Sequence, residues 1–277
     1  MKSPFYWSVR REFWESRWLY VVPLAVAGIV LLSAVIASFA LRDKMLQVGS
    51  VAMLYTTAAA VILLTGFLLG VFHCLEALNG ERRDRSILFW KSMPVSDLTT
   101  VLAKASIALA FLPLFAIAVA LATQAVMLLA STAVLAAGGE SPAALWSTLP
   151  FIQMTLVMLY GVAAHVLWYA PIYGLLLLVS AWARRVPLLW AVLPFFAICV
   201  VERIALGTDW FLSVLRYRLM GALTEAFAPG AAKGPFLSLS QIDPMKFLSS
   251  PNLWIGLAFA TACIAGAVRL RHYREPT

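Results

Sequence analysis

Residues 18–41 read WLYVVPLAVAGIVLLSAVIASFAL, and Arg42, Asp43 and Lys44 follow at once. Not one of the residues from Trp18 to Leu41 is charged. A helix rises about 1.5 Å per residue, so about 20 apolar residues cross the roughly 30 Å hydrocarbon core of a bilayer. This stretch is long enough, and the charged triplet after it is a stop. It predicts a membrane-spanning helix.

The whole chain agrees with that stretch. Of its 277 residues 62% are hydrophobic and only 12% charged, against roughly 45–50% and about 25% in soluble domains. A soluble fold of this size could not hide so much apolar surface, and disordered chains are poor in apolar residues. Further apolar runs predict spans at 51–78, 105–137, 149–182, 187–206 and 252–270, for a total of six. The third is too long for an upright span, so it tilts, kinks at Pro113 or projects from the bilayer. Pro171 and Gly174 are expected bend points in the fourth, and only Ala183–Val186 separates the fourth from the fifth. Gly66 and Gly70 give a small-residue spacing that allows close helix packing. The expected fold is an all-α integral membrane domain covering residues 1–277.

Charge sets the orientation. The net charge is +8, but the bases sit at the ends of apolar runs, where they fix topology and meet anionic headgroups; this argues against a nucleic-acid partner. With both termini on one side, fourteen Lys and Arg fall on that side and seven on the other. Both termini are therefore expected to be cytoplasmic. The N-terminal MKSPFYWSVRREFWESRW has no uninterrupted apolar core of the signal-peptide kind, and with the short loops this favours a bacterial inner membrane. Cys74, Cys199 and Cys263 lie in apolar runs without metal-binding spacing.

Three segments are not spans. Residues 4–17 place Phe5, Val9 and Phe13 on one helical stripe and Trp7, Trp14 and Trp18 on another, with Arg10, Arg11, Glu12, Glu15 and Arg17 between, as in a helix lying at the headgroup layer. Residues 79–97 begin with Asn79-Gly80, a turn pair. Glu81 to Lys91 then suit about three helical turns, basic at the start and aromatic at the end, and Pro94 stops them. Ser96 is a good N-cap for the next helix, and Asp97 suits the positive end of its dipole. An exposed Phe89-Trp90 pair beside arginines is typical of a protein contact surface; a helix lying on lipid is the plainer reading. Residues 207–250 form an enlarged segment on the outer side, broken at Pro229-Gly230 and Gly234-Pro235.

The run ERRDRSILFWKSMPVSD, residues 81–97, with Lys104 shortly after it, resembles the cytoplasmic loop of ABC-2 type transporter permeases. That loop reads roughly E-R, a short gap, S-I-L, an aromatic pair and L-P-V-S; here Met93 stands where leucine is frequent. The plan of amphipathic N-terminal helix, six spans and enlarged outer segment is similar too. The resemblance implies a permease subunit of an ATP-driven transporter, an exporter in direction. Its coupling helix would dock on a separate ABC ATP-binding subunit, using Glu81, Arg82, Arg85, Ser86, Phe89 and Trp90. ATP and Mg would be bound by that partner, with no cofactor on this chain, and a second permease copy would complete a homodimer or heterodimer among the membrane lipids. It also implies that residues 207–250 form short re-entrant or surface helices.

Enzyme signatures are the necessary counter-check. The chain contains no GxxxxGK[ST], HExxH or GxSxG, which removes the P-loop, the common zinc-protease pattern and the nucleophile elbow. Polar residues within the spans are His73, Glu76, Gln124, Gln153, His165, Glu202 and Arg203. His73 and Glu76, three apart on one helix face, would suit a metal or a proton relay, or a salt bridge from Glu76 to Arg82 or Arg83. The rival expectation is thus an intramembrane enzyme using His73, Glu76 and His165. A membrane assembly factor of the same fold is a third.

Overall fold

The computed structural model describes residues 4–40, 48–84, 86, 95–139, 141, 143–231, 235–236 and 238–273. Among them the secondary structure is helical, with a single isolated bridge between Phe227 and Ile242. The helices are α1 (Pro4–Glu15), α2 (Trp18–Ala40), α3 (Val48–Arg83), α4 (Asp97–Ala137), α5 (Ala143–Thr148), α6 (Phe151–Trp182), α7 (Pro187–Leu206), α8 (Trp210–Ala226), α9 (Pro244–Ser249) and α10 (Pro251–Tyr273). Six of the described helices, α2, α3, α4, α6, α7 and α10, are long and apolar enough to cross a membrane. Their positions match the apolar runs.

Helix α1 is amphipathic, but it does more than lie on a surface. Val9 and Phe13 pack against Leu19 of α2, Leu69 of α3 and Leu112 of α4, and the rings of Phe13 and Phe111 meet edge to face at 3.8 Å. The tryptophan stripe divides: Trp18 packs with Val9 and Phe13, whereas Trp7 and Trp14 are exposed, and the Arg10 guanidinium lies over both of their rings at 5.3 and 4.6 Å. After Glu15 the chain breaks for two residues before α2 starts.

Two expectations about helix ends are corrected. Asn79-Gly80 makes no turn; α3 runs through it to Arg83. Tertiary bonds explain the override. The backbone N–H groups of Leu78 and Asn79 donate to Ser180 Oγ of α6 at 3.1 and 3.0 Å, and Asn79 Nδ2 donates to the Ala183 carbonyl at 2.7 Å. A separate helix starting at Glu81 is therefore not seen, since Glu81–Arg83 close α3; residues 87–91 of that expectation lie outside the described residues. Helix α4 begins at Asp97, the start expected from Ser96, ahead of the apolar run at 105–137. Ser96 caps it as expected, its hydroxyl accepting from the Thr99 N–H at 3.1 Å.

Proline is absorbed differently in the two long helices. In α4 the residues Ile107–Phe111, just ahead of Pro113, form a π-helical turn, and the Leu112 N–H reaches back to the Ile107 carbonyl. Proline cannot donate to the carbonyl four residues earlier, and the wider turn takes up the mismatch. Helix α6 passes Pro171 as one continuous helix. Gly174 is a point of close approach: a Cβ there would lie 3.0 Å from the Ala260 carbonyl oxygen of α10. Gly66 and Gly70 act alike on α3, where added Cβ atoms would come within 3.0 Å of Ala116 Cβ and 2.9 Å of the Tyr173 ring.

The segment after α7 folds back onto α6. Tyr169 Oη donates to the Leu219 carbonyl at 2.6 Å, Trp168 Nε1 to the Arg218 carbonyl at 2.9 Å and Tyr160 Oη to the Ala226 carbonyl at 2.8 Å. Arg218 returns a hydrogen bond to the Trp168 carbonyl at 2.5 Å and lies over the Trp168 ring. Glu202 near the end of α7 accepts from the N–H groups of Trp210 and Phe211, serving as a remote cap for α8, while Arg203 pairs with Asp209. Helix α7 itself is thinly attached: Ala191 is its one buried residue.

Candidate functional site

Four helix ends converge where α1, the end of α3, the start of α4 and the end of α10 meet. Each contributes ionised groups. Glu12 comes from the inward face of α1, Glu81 from the last turn of α3, Asp97 and Lys104 from α4, and Arg271 from the last turn of α10. Arg11 joins from the flank of α1.

Glu81 is the hub. It pairs with Arg11 at 2.8 Å, with Lys104 at 3.1 Å and with Arg271 through its second oxygen. Lys104 also holds Glu12 at 2.8 Å, and Arg11 reaches Glu12 at 2.7 Å. Arg271 completes the chain by donating Nε to Asp97 at 3.0 Å, where His272 Nδ1 also approaches at 3.3 Å. The side chains of Glu12, Glu81, Lys104 and Arg271 are each 7% exposed or less. Buried charge is tolerable only when paired, since desolvation costs several kcal/mol or so per ion. Here three cations (Arg11, Lys104, Arg271) face the carboxylates of Glu12, Glu81 and Asp97, and the half-exposed Glu15 stands 3.6 Å from Arg11 at the edge. Burial alone would push the Glu12 carboxyl up; the attraction of Lys104, helped by Arg11 and a hydrogen bond, outweighs it and holds Glu12 below the usual carboxylate range.

The cluster brackets the connection between α3 and α4. Glu81 and Asp97, on its two sides, are gripped by the one guanidinium of Arg271. Arg82 fastens the same root to α6, donating to the carbonyls of Ser180 and, at 2.9 Å, Ala183. Ser86 Oγ donates back to the Glu81 carbonyl at 3.3 Å. Of the six residues expected to act in coupling, Glu81, Arg82 and Ser86 are thus collected at this root. Arg85, Phe89 and Trp90 lie outside the described residues.

The polar groups of the rival reading are not brought together. His73 is buried within electrostatic reach of Glu12 and Lys104, and its Nε2 has no hydrogen-bond partner. Glu76 turns outward to Arg83 at 3.1 Å, with both side chains about 60% exposed. His165 stands elsewhere, against Phe67 and Tyr169 with ring centroids 5.1 and 4.4 Å away. Among the described residues no group of three or more His, Cys, Asp or Glu is placed to hold a metal ion.

Sequence reasoning missed Lys104 and Arg271 as partners of Glu81, and Glu12 as the carboxylate that shares Lys104 and Arg11 with it. Glu12 was one of several charges on the arcs of an amphipathic helix, Lys104 and Arg271 were topology signals, and Asp97 was a dipole partner. The available signal was position: each lies within a turn or two of the end of an apolar run, on the same expected side of the membrane.

The architecture and this end-cluster define a multi-pass α-helical membrane protein. No family model, curated protein or solved structure matches the chain.

Proposed function

We propose that the chain is the permease subunit of an ATP-driven ABC-2 type transporter, working as an exporter in a bacterial inner membrane with both termini cytoplasmic. The observation that supports this reading is the mounting of the loop between α3 and α4. A segment that transmits force must be fastened at its roots, because a flexible tether would absorb the motion. Here each root is tied through buried, charge-assisted hydrogen bonds to elements far away in the chain. Through Glu81 the loop is joined to α1, α4 and α10, and through Arg82 to α6.

In this mechanism ATP and Mg sit on a separate ATP-binding subunit, two of which close as ATP binds. The closing motion reaches Phe89 and Trp90 on the loop, passes through the Glu81 cluster and tilts the spans. Two permease copies then expose their shared interface alternately to either side. Glu81, Arg82 and Ser86 position the loop, whereas Arg85, Phe89 and Trp90 form the contact.

The test is co-purification of the tagged chain with an ATP-binding subunit encoded beside it. Phe89→Ala/Trp90→Ala is expected to abolish the association while the chain still elutes as a folded species. Retention of the ATPase by that variant, or no ATPase with the wild type, refutes the reading. Glu81→Ala is unsuitable as the first variant, because Glu81 is buried and its loss leaves three cations to share Glu12 and Asp97.

A further inference from the structure

Far from the ion cluster, α3, α4, α6 and α8 enclose a cavity of about 490 Å³. Its size falls in the range of small-molecule pockets, roughly 300–1,000 Å³. The walls are almost wholly apolar, and none of the lining residues is charged. An ion entering it would lose its hydration without a counter-charge, so the fitting ligand is neutral. Leu64 and Leu223 line the cavity and are themselves 56% and 48% exposed. In a bilayer that open flank faces hydrocarbon, and a ligand can enter sideways from the lipid.

Five polar side chains interrupt the apolar lining, and Thr56 is spent on the Ala52 carbonyl; His165 and Tyr173 are the two without a hydrogen bond among the described residues. Tyr173 is 1% exposed, and among the described residues its hydroxyl makes no hydrogen bond; its ring is fixed by Phe67 on one side and Gly70 on the other. His165 lies two turns earlier on α6, held by Phe67 and Tyr169, and its ring nitrogens likewise have no hydrogen-bond partner among the described residues. By contrast Tyr169 and Gln124, also in the wall, are engaged with the carbonyls of Leu219 and Tyr55. A buried polar group without a partner is costly. Tyr173 is buried and His165 half-buried; inside a bilayer neither meets water, and a ligand in the cavity can supply the missing hydrogen bonds.

We propose that this cavity binds a neutral, largely hydrocarbon molecule carrying a hydroxyl group, drawn from the lipid phase and held by His165 and Tyr173. A neutral imidazole accepts from a ligand hydroxyl, and the phenol donates to its oxygen. The site lies within one chain, and it stands whether or not the chain is a permease.

The test uses the full-length chain in phosphatidylcholine nanodiscs, irradiated with a long-chain fatty alcohol bearing a mid-chain diazirine. Labelled peptides are mapped by mass spectrometry. Saturable labelling is expected in the stretches covering 56–67, 154–173 and 219–227, displaced by the plain alcohol but not by an alkyltrimethylammonium of equal length. His165→Phe and Tyr173→Phe keep the rings and remove the polar atoms. Each is expected to weaken binding about five- to tenfold, the worth of one hydrogen bond. Ala60→Trp, at the exposed mouth of the cavity, is expected to block it, and Leu63→Trp does the same if the first variant misfolds. Labelling that rises linearly with probe and spreads over α2 and α7 overturns the proposal. So does equal competition by the cation, or unchanged affinity in both ring variants.

Discussion

Lys104 Nζ lies 2.8 Å from Glu12 Oε1, joining residues 92 positions apart with both side chains 5% exposed or less. The same ammonium is 3.1 Å from Glu81. One lysine thus neutralises the inward face of an interfacial helix and the end of a membrane span together.

Removing that lysine leaves two carboxylates buried with less compensation. Lys104→Met is expected to destabilise the protein by about 3–5 kcal/mol, the usual cost of breaking a buried pair. Adding Glu12→Gln should recover part of the loss. Thermal unfolding in detergent of the wild type, both single variants and the double variant measures the coupling. Additive effects would show that the contact carries no energy.

The docking of α1 is expected to fail in acid. Glu12 is held below its ordinary value of 4.5 in the folded protein, so it favours the docked state fully above that value. The contribution disappears as pH falls through the lower, folded pKa. Hydrogen exchange of residues 4–15 should stay protected at neutral pH and rise below about pH 4. Glu12→Gln should remove most of that pH dependence, while protection of α6 stays unchanged.

Arg271→Ala is expected to loosen both roots of the α3–α4 loop at once. Trypsin cleavage at Arg83 and Arg85 should accelerate, and α10 should lose protection at its last turn. Arg271→Lys keeps the charge but cannot span Glu81 and Asp97 with a planar fork, so only partial rescue is expected. Full rescue by lysine would mean that charge alone matters.

Gly70→Ala tests the α3–α6 contact. The new Cβ would stand 2.9 Å from the Tyr173 ring, an overpacking worth about 1–3 kcal/mol. Tyr173→Leu in the same chain should relieve it. A Gly70→Ala protein as stable as the wild type would show that the ring moves aside freely.

Much of the architecture is legible in the chain because a bilayer imposes one simple rule, an uninterrupted apolar run about 20 residues long. Trp18–Ala40 and Pro187–Leu206 follow directly from that rule. The helix ends do not. Asn79-Gly80 carries a local turn signal, yet Ser180 and Ala183, about a hundred residues later, hold those residues in a helix. The ion cluster is hidden for the same reason. Glu12, Glu81, Lys104 and Arg271 lie on four different helices, and no local spacing announces that they meet. Glu81 draws notice through its motif, but its burial and its three partners come only from packing. The cavity is likewise invisible to periodicity, since its wall residues look like any other apolar span residues.

The π-helical turn before Pro113 sets the phase of α4. In an unbroken α-helix at about 100° per residue, Ala116 would point about 120° away from Lys104. The wider turn absorbs one extra residue and brings the two within about 20° of each other. Lys104 and Ala116 are in fact both buried, one in the ion cluster and the other against Gly66 beside the cavity. The turn works as a clutch between two sections of one rod, keeping the charged end and the apolar end aimed at the same neighbours. Regularising it would force one of the two sections to face lipid.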